Sequence, residues 1–160
     1  MPKIKALLVG DLHLHGVSEF STPTENGYST IHKQFRDSLF WTADNIDTYS
    51  PEWVIALGDI FHVPGILDVP SFNVAWDGFS RIKEACKRVD AELIVLRGNH
   101  DLVNTDEVEG APHSIPFLGS AVATSPRLFT RQNSSVFAVP YIKDVVKAKA
   151  ALLKALTFSP

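Results

Sequence analysis

Three short stretches are built to one plan. IKALLVGD (Ile4 to Asp11), EWVIALGD (Glu52 to Asp59) and ELIVLRGN (Glu92 to Asn99) each run through apolar residues to a glycine and then to a carboxylate or carboxamide. This plan constrains the fold more than any other feature of the chain. The runs are continuously apolar rather than alternating, which is the pattern of strands buried on both faces of a parallel sheet under helices. Roughly 40–50 residues separate one polar strand end from the next, room for a crossover helix each time.

The helices are readable between the strands. From Thr30 to Tyr49, Phe35, Leu39, Ala43 and Ile46 fall on one stripe, and Pro51 lies beyond the end. From Ser71 to Arg88, Phe72, Trp76, Phe79, Ile82 and Cys86 do the same, with Ser71 after Pro70 as the expected N-cap. Leu102 to Pro126 is rich in Gly, Pro, Ser and Thr and reads as loops with at most one helical turn. Ser134 to Pro140 is a fourth strand candidate, and Asp144 to Leu156 a last helix with Val145, Leu152 and Leu156 on one side. The expectation is one α/β domain over residues 1–160, a mostly parallel sheet with crossover helices. A hydrophobic content of 45%, with ten Phe and three Trp, supplies a core for it.

A formal net charge of −3 excludes a polycation that coats nucleic acid. Residues 121–160, however, hold six Lys and Arg against Asp144 alone, so a basic tail follows an acidic body. Cys86 is the one cysteine, which rules out an internal disulfide and fits a reducing cytosol. The opening MPKIKALLVGD meets an acidic residue too soon for a secretory signal, and no apolar run has membrane-spanning length. A soluble cytoplasmic protein is expected.

In an open α/β sheet the ligand site lies beyond the carboxyl ends of the strands. Asp11 with His13, Asp59, and Asn99 with His100 and Asp101 should therefore meet on one rim. Two carboxylates, a carboxamide and an imidazole with no thiolate form a mixed oxygen and nitrogen set, suited to Mn²⁺, Fe or Zn²⁺. Asp11 and His13, two apart on an extended segment, can face one ion, and Asp59 can bridge two. Two ions about 3.5–4 Å apart clamp a phosphoryl group and activate water. His100 could protonate a leaving oxygen, with Asp101 holding its imidazole in the right tautomer. A lone D-x-H, Gly-Asp or Asn-His-Asp would mean no more than a capped turn. Three such elements, each ending a strand, point to a metal site.

These residues resemble the calcineurin-like metallophosphoesterase superfamily, whose pattern is D-x-H, then G-D, then G-N-H-[DE]. Here they stand as Asp11-Leu12-His13, Gly58-Asp59 and Gly98-Asn99-His100-Asp101. Within it, GDLHLHG, ALGDIFH and GNHD, with Phe61 after the second motif, look most like SbcD-like DNA exonuclease subunits and their phage counterparts. The resemblance implies the N-terminal part of an α/β/β/α sandwich. It implies that Asp11 and His13 bind a first metal, Asp59 bridges both and Asn99 binds the second, while His100 serves the scissile phosphate with Asp101 as its orienting partner. It also implies two Mn²⁺ ions, DNA as substrate and a partner ATPase of the coiled-coil type.

The superfamily has two later motifs, Gly-His and Gly-His-x-His, and no histidine follows His113 here. The expectation is a domain incomplete at its C-terminus, whose other half is lost or supplied by another chain, with one sheet face partly bare. Of the other histidines, His15 could stand behind the metal ligands and His62 could contact phosphate, whereas His32 and His113 read as surface or loop residues. Arg97 reads as a phosphate contact or a rim residue. Three functions compete: a Mn²⁺-dependent nuclease of DNA recombination and repair, a phosphatase or nucleotide phosphodiesterase, and a non-catalytic fragment that binds a partner chain.

Overall fold

The computed structural model describes residues 4–24, 26–103, 115–116, 118–131 and 134–157, so His113 lies outside the described residues. The three apolar runs form β1 (Ala6–Val9), β2 (Trp53–Ala56) and β3 (Glu92–Leu96). They pair in parallel, with Leu7 opposite Val54 and Ile55 opposite Ile94. All four residues of β2 and Leu93, Ile94 and Val95 of β3 are buried, as continuous apolar runs require. The edge strand β1 differs, since Leu8 is 60% exposed.

The crossovers are α1 (Thr30–Tyr49) and α2 (Val69–Val89), which pack on one another and on the sheet. Their core is Leu39, Ala43 and Ile46 against Val74, Ala75, Phe79 and Ile82. In α2 the buried face is turned from the expected stripe. Trp76 is 47% exposed, because Gly78 brings α1 close enough that a Cβ there would stand 2.4 Å from the Leu39 side chain. The helix also begins earlier than Ser71. Asp68 is the N-cap, accepting from the Ser71 N–H at 2.8 Å, and Pro70 occupies the first turn, where its missing N–H costs nothing.

His32 is not a surface residue. It is buried, and its Nδ1 accepts from the Ser29 N–H while its Nε2 meets Ser71 Oγ, both at 3.1 Å. A histidine thus takes the place of the usual Glu or Gln in a capping box that starts α1, and bolts it to α2. Burial holds the His32 imidazole below its ordinary pKa, with Asp68 pulling the other way.

One strand comes from the stretch read as loops, and another from residues just beyond it. β4 (Ala121–Ala123) extends the sheet in parallel beside β3, giving the order β1-β2-β3-β4. β5 (Arg127–Arg131) pairs antiparallel with β6 (Ser134–Ala138), so the expected strand at 134–140 forms, but in a separate two-stranded sheet. That hairpin covers the sheet face opposite the helices, with Phe129 and Ala138 against Trp53, Ile55 and Ile94. The expected bare face is therefore confined to the β1 side, around Leu8 and Leu57. The last helix, α3 (Val145–Thr157), is capped by Asp144, which accepts from the N–H groups of Val146 and Lys147. Its contact face is small: Ala151 is buried, while Val145, Leu152 and Leu156 are exposed, contrary to the expected stripe. Among the described residues no helix is long and apolar enough to cross a membrane.

Candidate metal centre

The segments leaving β1, β2 and β3 continue as one knitted rim. The His13 N–H donates to the Asp59 carbonyl at 2.8 Å, the Leu14 N–H to the Ile60 carbonyl at 2.7 Å, and the His62 N–H back to the Leu14 carbonyl at 3.2 Å. Leu14 and Phe61 are both buried and form a parallel bridge, so the scaffold of the rim is itself a piece of core.

Two glycines let the β2 and β3 ends touch. A Cβ on Gly58 would lie 2.6 Å from the Gly98 nitrogen, and one on Gly98 would lie 2.1 Å from Asp59 Oδ1. Gly58 also has φ of 91°, open to glycine and strained for other residues. Gly10 is under less constraint, because a Cβ there would meet only the flexible Leu57 side chain, at 3.2 Å.

The segment from Asp11 to His13 is not extended as expected. Asp11 (φ 56°), His13 (φ 45°) and Asp59 (φ 48°) are all left-handed, whereas the other two such non-glycine residues among those described, Ser50 and Asp90, simply end helices. Left-handed backbone at non-glycine residues carries strain of order 1–3 kcal/mol each and concentrates at functional sites. Here it coils the chain so that Asp11 Oδ1 comes 2.9 Å from His13 Nε2. One donor atom each from Asp11, His13 and Asp59 lie within 4.8 Å of one another.

Asp101 does different work from that expected of it. Its carboxylate is 1% exposed and accepts from the backbone N–H groups of Gly98, Asp59 and Ile60, each at 2.9 Å. It ties the β3 turn to the β2 turn. Burial pushes its pKa up, against the pull of the amide donors. The described partner of the His100 imidazole is instead the His62 carbonyl, which faces its Nδ1. The His100 backbone N–H meanwhile donates to Asp59 Oδ1 at 2.8 Å. Asn99 is half-buried between Gly98 and His100, whose N–H groups are both bonded to carboxylates of the rim.

The rim therefore brings together Asp11, His13, Asp59 and His100. It adds His62 as a full neighbour: one ring nitrogen each from His13, His62 and His100 lie within 4.8 Å of one another. The signal in the sequence was its place three residues after Asp59, on a turn that must face the same side. His15 stands next to it, ring centroids 4.7 Å apart. Arg97 is neither on the rim nor aimed at solvent; it is 3% exposed, and its guanidinium donates to the Tyr141 carbonyl.

The residues fit a divalent ion. His13 Nδ1 is buried with no hydrogen-bond partner, an atom that is costly to leave so unless a ligand or proton relay uses it. The ring's neighbours are the carboxylates of Asp11 and Asp59 and the imidazoles of His62 and His100, a donor set for Mn²⁺, Fe or Zn²⁺.

A rim of Asp and His donors at the carboxyl ends of parallel strands is suited to metal-assisted hydrolysis. The family model described as calcineurin-like phosphoesterase matches residues 4–155, and the chain belongs to that family. Comparison with curated proteins found no match.

Proposed function

We propose that this chain is a Mn²⁺-dependent nuclease acting on DNA phosphodiesters, of the SbcD-like kind, working with a coiled-coil ATPase. The observation that carries the hydrolytic part is the convergence of Asp11, His13 and Asp59 on one point beside His100. Two features favour a polymer over a small phosphoester. The rim is open, with the Asp11 side chain 79% exposed and His62 exposed, so a long backbone can reach it. The basic residues of 121–160 add positive charge that favours a polyanion.

In this reading Asp11 and His13 hold the first ion, Asp59 is shared and Asn99 serves the second. The ions supply Lewis-acid polarisation of the phosphoryl group and activation of the attacking water. His100 gives a proton to the leaving oxygen, its ring set by the His62 carbonyl. Asp101 keeps Asp59 and His100 in register through the amides it binds.

The test compares linear DNA with p-nitrophenyl phosphate and its bis ester in Mn²⁺. Cleavage of DNA that His100→Ala abolishes is the expected result. Faster hydrolysis of the monoester than of DNA would replace the nuclease by a phosphatase.

A further inference from the structure

The carboxylate set does not use all the donors at this rim. His62 and His100 project towards the same His13 from another side, with centroids 5.5 Å and 4.5 Å from it and 6.1 Å from each other. Hydrogen bonding prepares one of these rings as a ligand. The His62 carbonyl engages Nδ1 of His100, which places the proton on Nδ1 and so leaves the lone pair on Nε2. An imidazole bonded to a backbone carbonyl through one nitrogen is the usual arrangement of a histidine that binds a metal through the other. The neighbouring His15 is set in the same way, by the His13 carbonyl at 2.5 Å.

We infer that the rim carries two overlapping ligand sets with different metal preferences, and that the histidine set (His13, His62, His100) captures Zn²⁺ and so shuts off the Mn²⁺-loaded state. The inference rests on the proposed reading of Asp11, His13 and Asp59 as the Mn²⁺ ligands and of His100 as the proton donor. His13 belongs to both sets, so an ion held by one set engages the ring that the other set also uses. Carboxylate oxygens suit Mn²⁺; three imidazoles with an open fourth position are a zinc arrangement. For a given nitrogen site Zn²⁺ also binds more tightly than Mn²⁺, so a modest Zn²⁺ concentration displaces the ion the carboxylates prefer. Zn²⁺ held there occupies the ring that would otherwise protonate the leaving oxygen. The carbonyl bond from His62 gives this set rigidity, because the backbone of one ligand fixes the ring of the next.

Direct binding decides the matter. Co²⁺, whose visible absorption reports nitrogen ligation and low coordination number, is titrated into the metal-free chain and displaced with Zn²⁺; Mn²⁺ binding is followed separately by electron paramagnetic resonance. Altering even a partner of a metal ligand costs about 10–100-fold in affinity. His62→Ala is therefore expected to weaken Co²⁺ and Zn²⁺ binding at least about 10-fold and to leave Mn²⁺ affinity in place, and Asp59→Asn to do the reverse. His62 is exposed, so the fold should tolerate its loss. His62→Gln, which keeps a polar side chain of similar length, guards against a local collapse. Unchanged Zn²⁺ affinity in both His62 variants, or equal losses of Zn²⁺ and Mn²⁺ in each variant, would overturn the two-set inference while leaving a single metal site. Unchanged Mn²⁺ affinity in Asp59→Asn would instead overturn the metal-site reading on which it rests.

Discussion

Replacing Asp101 by Asn changes one atom in the carboxyl group and tests what holds the rim together. In the native protein Oδ2 accepts two backbone N–H groups, from Gly98 and Asp59, and Oδ1 accepts a third from Ile60. An asparagine offers one acceptor oxygen and one NH₂. In its better orientation the oxygen serves Gly98 and Asp59, and the NH₂ confronts the Ile60 N–H, so one buried donor loses its partner. An unsatisfied buried amide costs about 1–3 kcal/mol. For a domain of this size that lowers Tm by about 2–4 °C per kcal/mol. Asp101→Ala strands all three donors and should cost more, about 3–5 kcal/mol. Thermal unfolding followed by circular dichroism measures both. Mn²⁺ affinity should fall in Asp101→Asn as well, because the freed turn carries Asp59 and no ligand has been removed. An Asp101→Asn protein with native Tm, within about 0.5 kcal/mol of wild type, would refute the view that Asp101 ties the two turns.

Other consequences follow from the packing. Gly98→Ala places a Cβ 2.1 Å from Asp59 Oδ1; it should destabilise by about 3 kcal/mol, near the upper end for overpacking, and abolish Mn²⁺ binding with every candidate ligand intact, as calorimetry would show. Burial pushes the Cys86 thiol up to about 11. It should therefore resist alkylation at pH 8 in the native state and react readily in denaturant, as a thiol-reagent assay would record. Burial lowers the His32 pKa, so below about pH 6.5 the unfolded chain binds a proton that the folded one resists. Stability should fall as pH drops through that range, and His32→Gln should flatten the slope in denaturant titrations.

The sequence made the sheet legible because three of its strands are continuously apolar and end alike, so polarity alone marks them, the exposed edge strand β1 included. Helix α1 was equally clear, with one buried stripe and Pro51 beyond it. β4 and β5 were not. Ala121–Ala123 is three small residues, and its pairing depends on Ile94 and Val95 across the sheet rather than on any pattern of its own. β5 (RLFTR) has polar ends and gains its place by pairing with β6 and laying Phe129 on Trp53 and Ile55. The site was readable in residue types but not in backbone. Nothing in D-x-H announces left-handed turns at Asp11 and His13; they follow from the rim's bonds to Asp59 and Ile60. The role of Asp101 was hidden for the same reason, since its partners are amides that any residue supplies. His32 looked like a surface histidine because its burial is created by Ser29 and Ser71, brought together by the helix packing.

If Asp11, His13 and Asp59 at the strand ends form one metal site, Mn²⁺ titration of the metal-free chain, read by electron paramagnetic resonance, should show one bound Mn²⁺ per chain. That binding should be lost in both Asp11→Asn and Asp59→Asn while circular dichroism shows the fold retained. Mn²⁺ binding that survives in both variants, or that is absent from the wild-type chain, would refute the site.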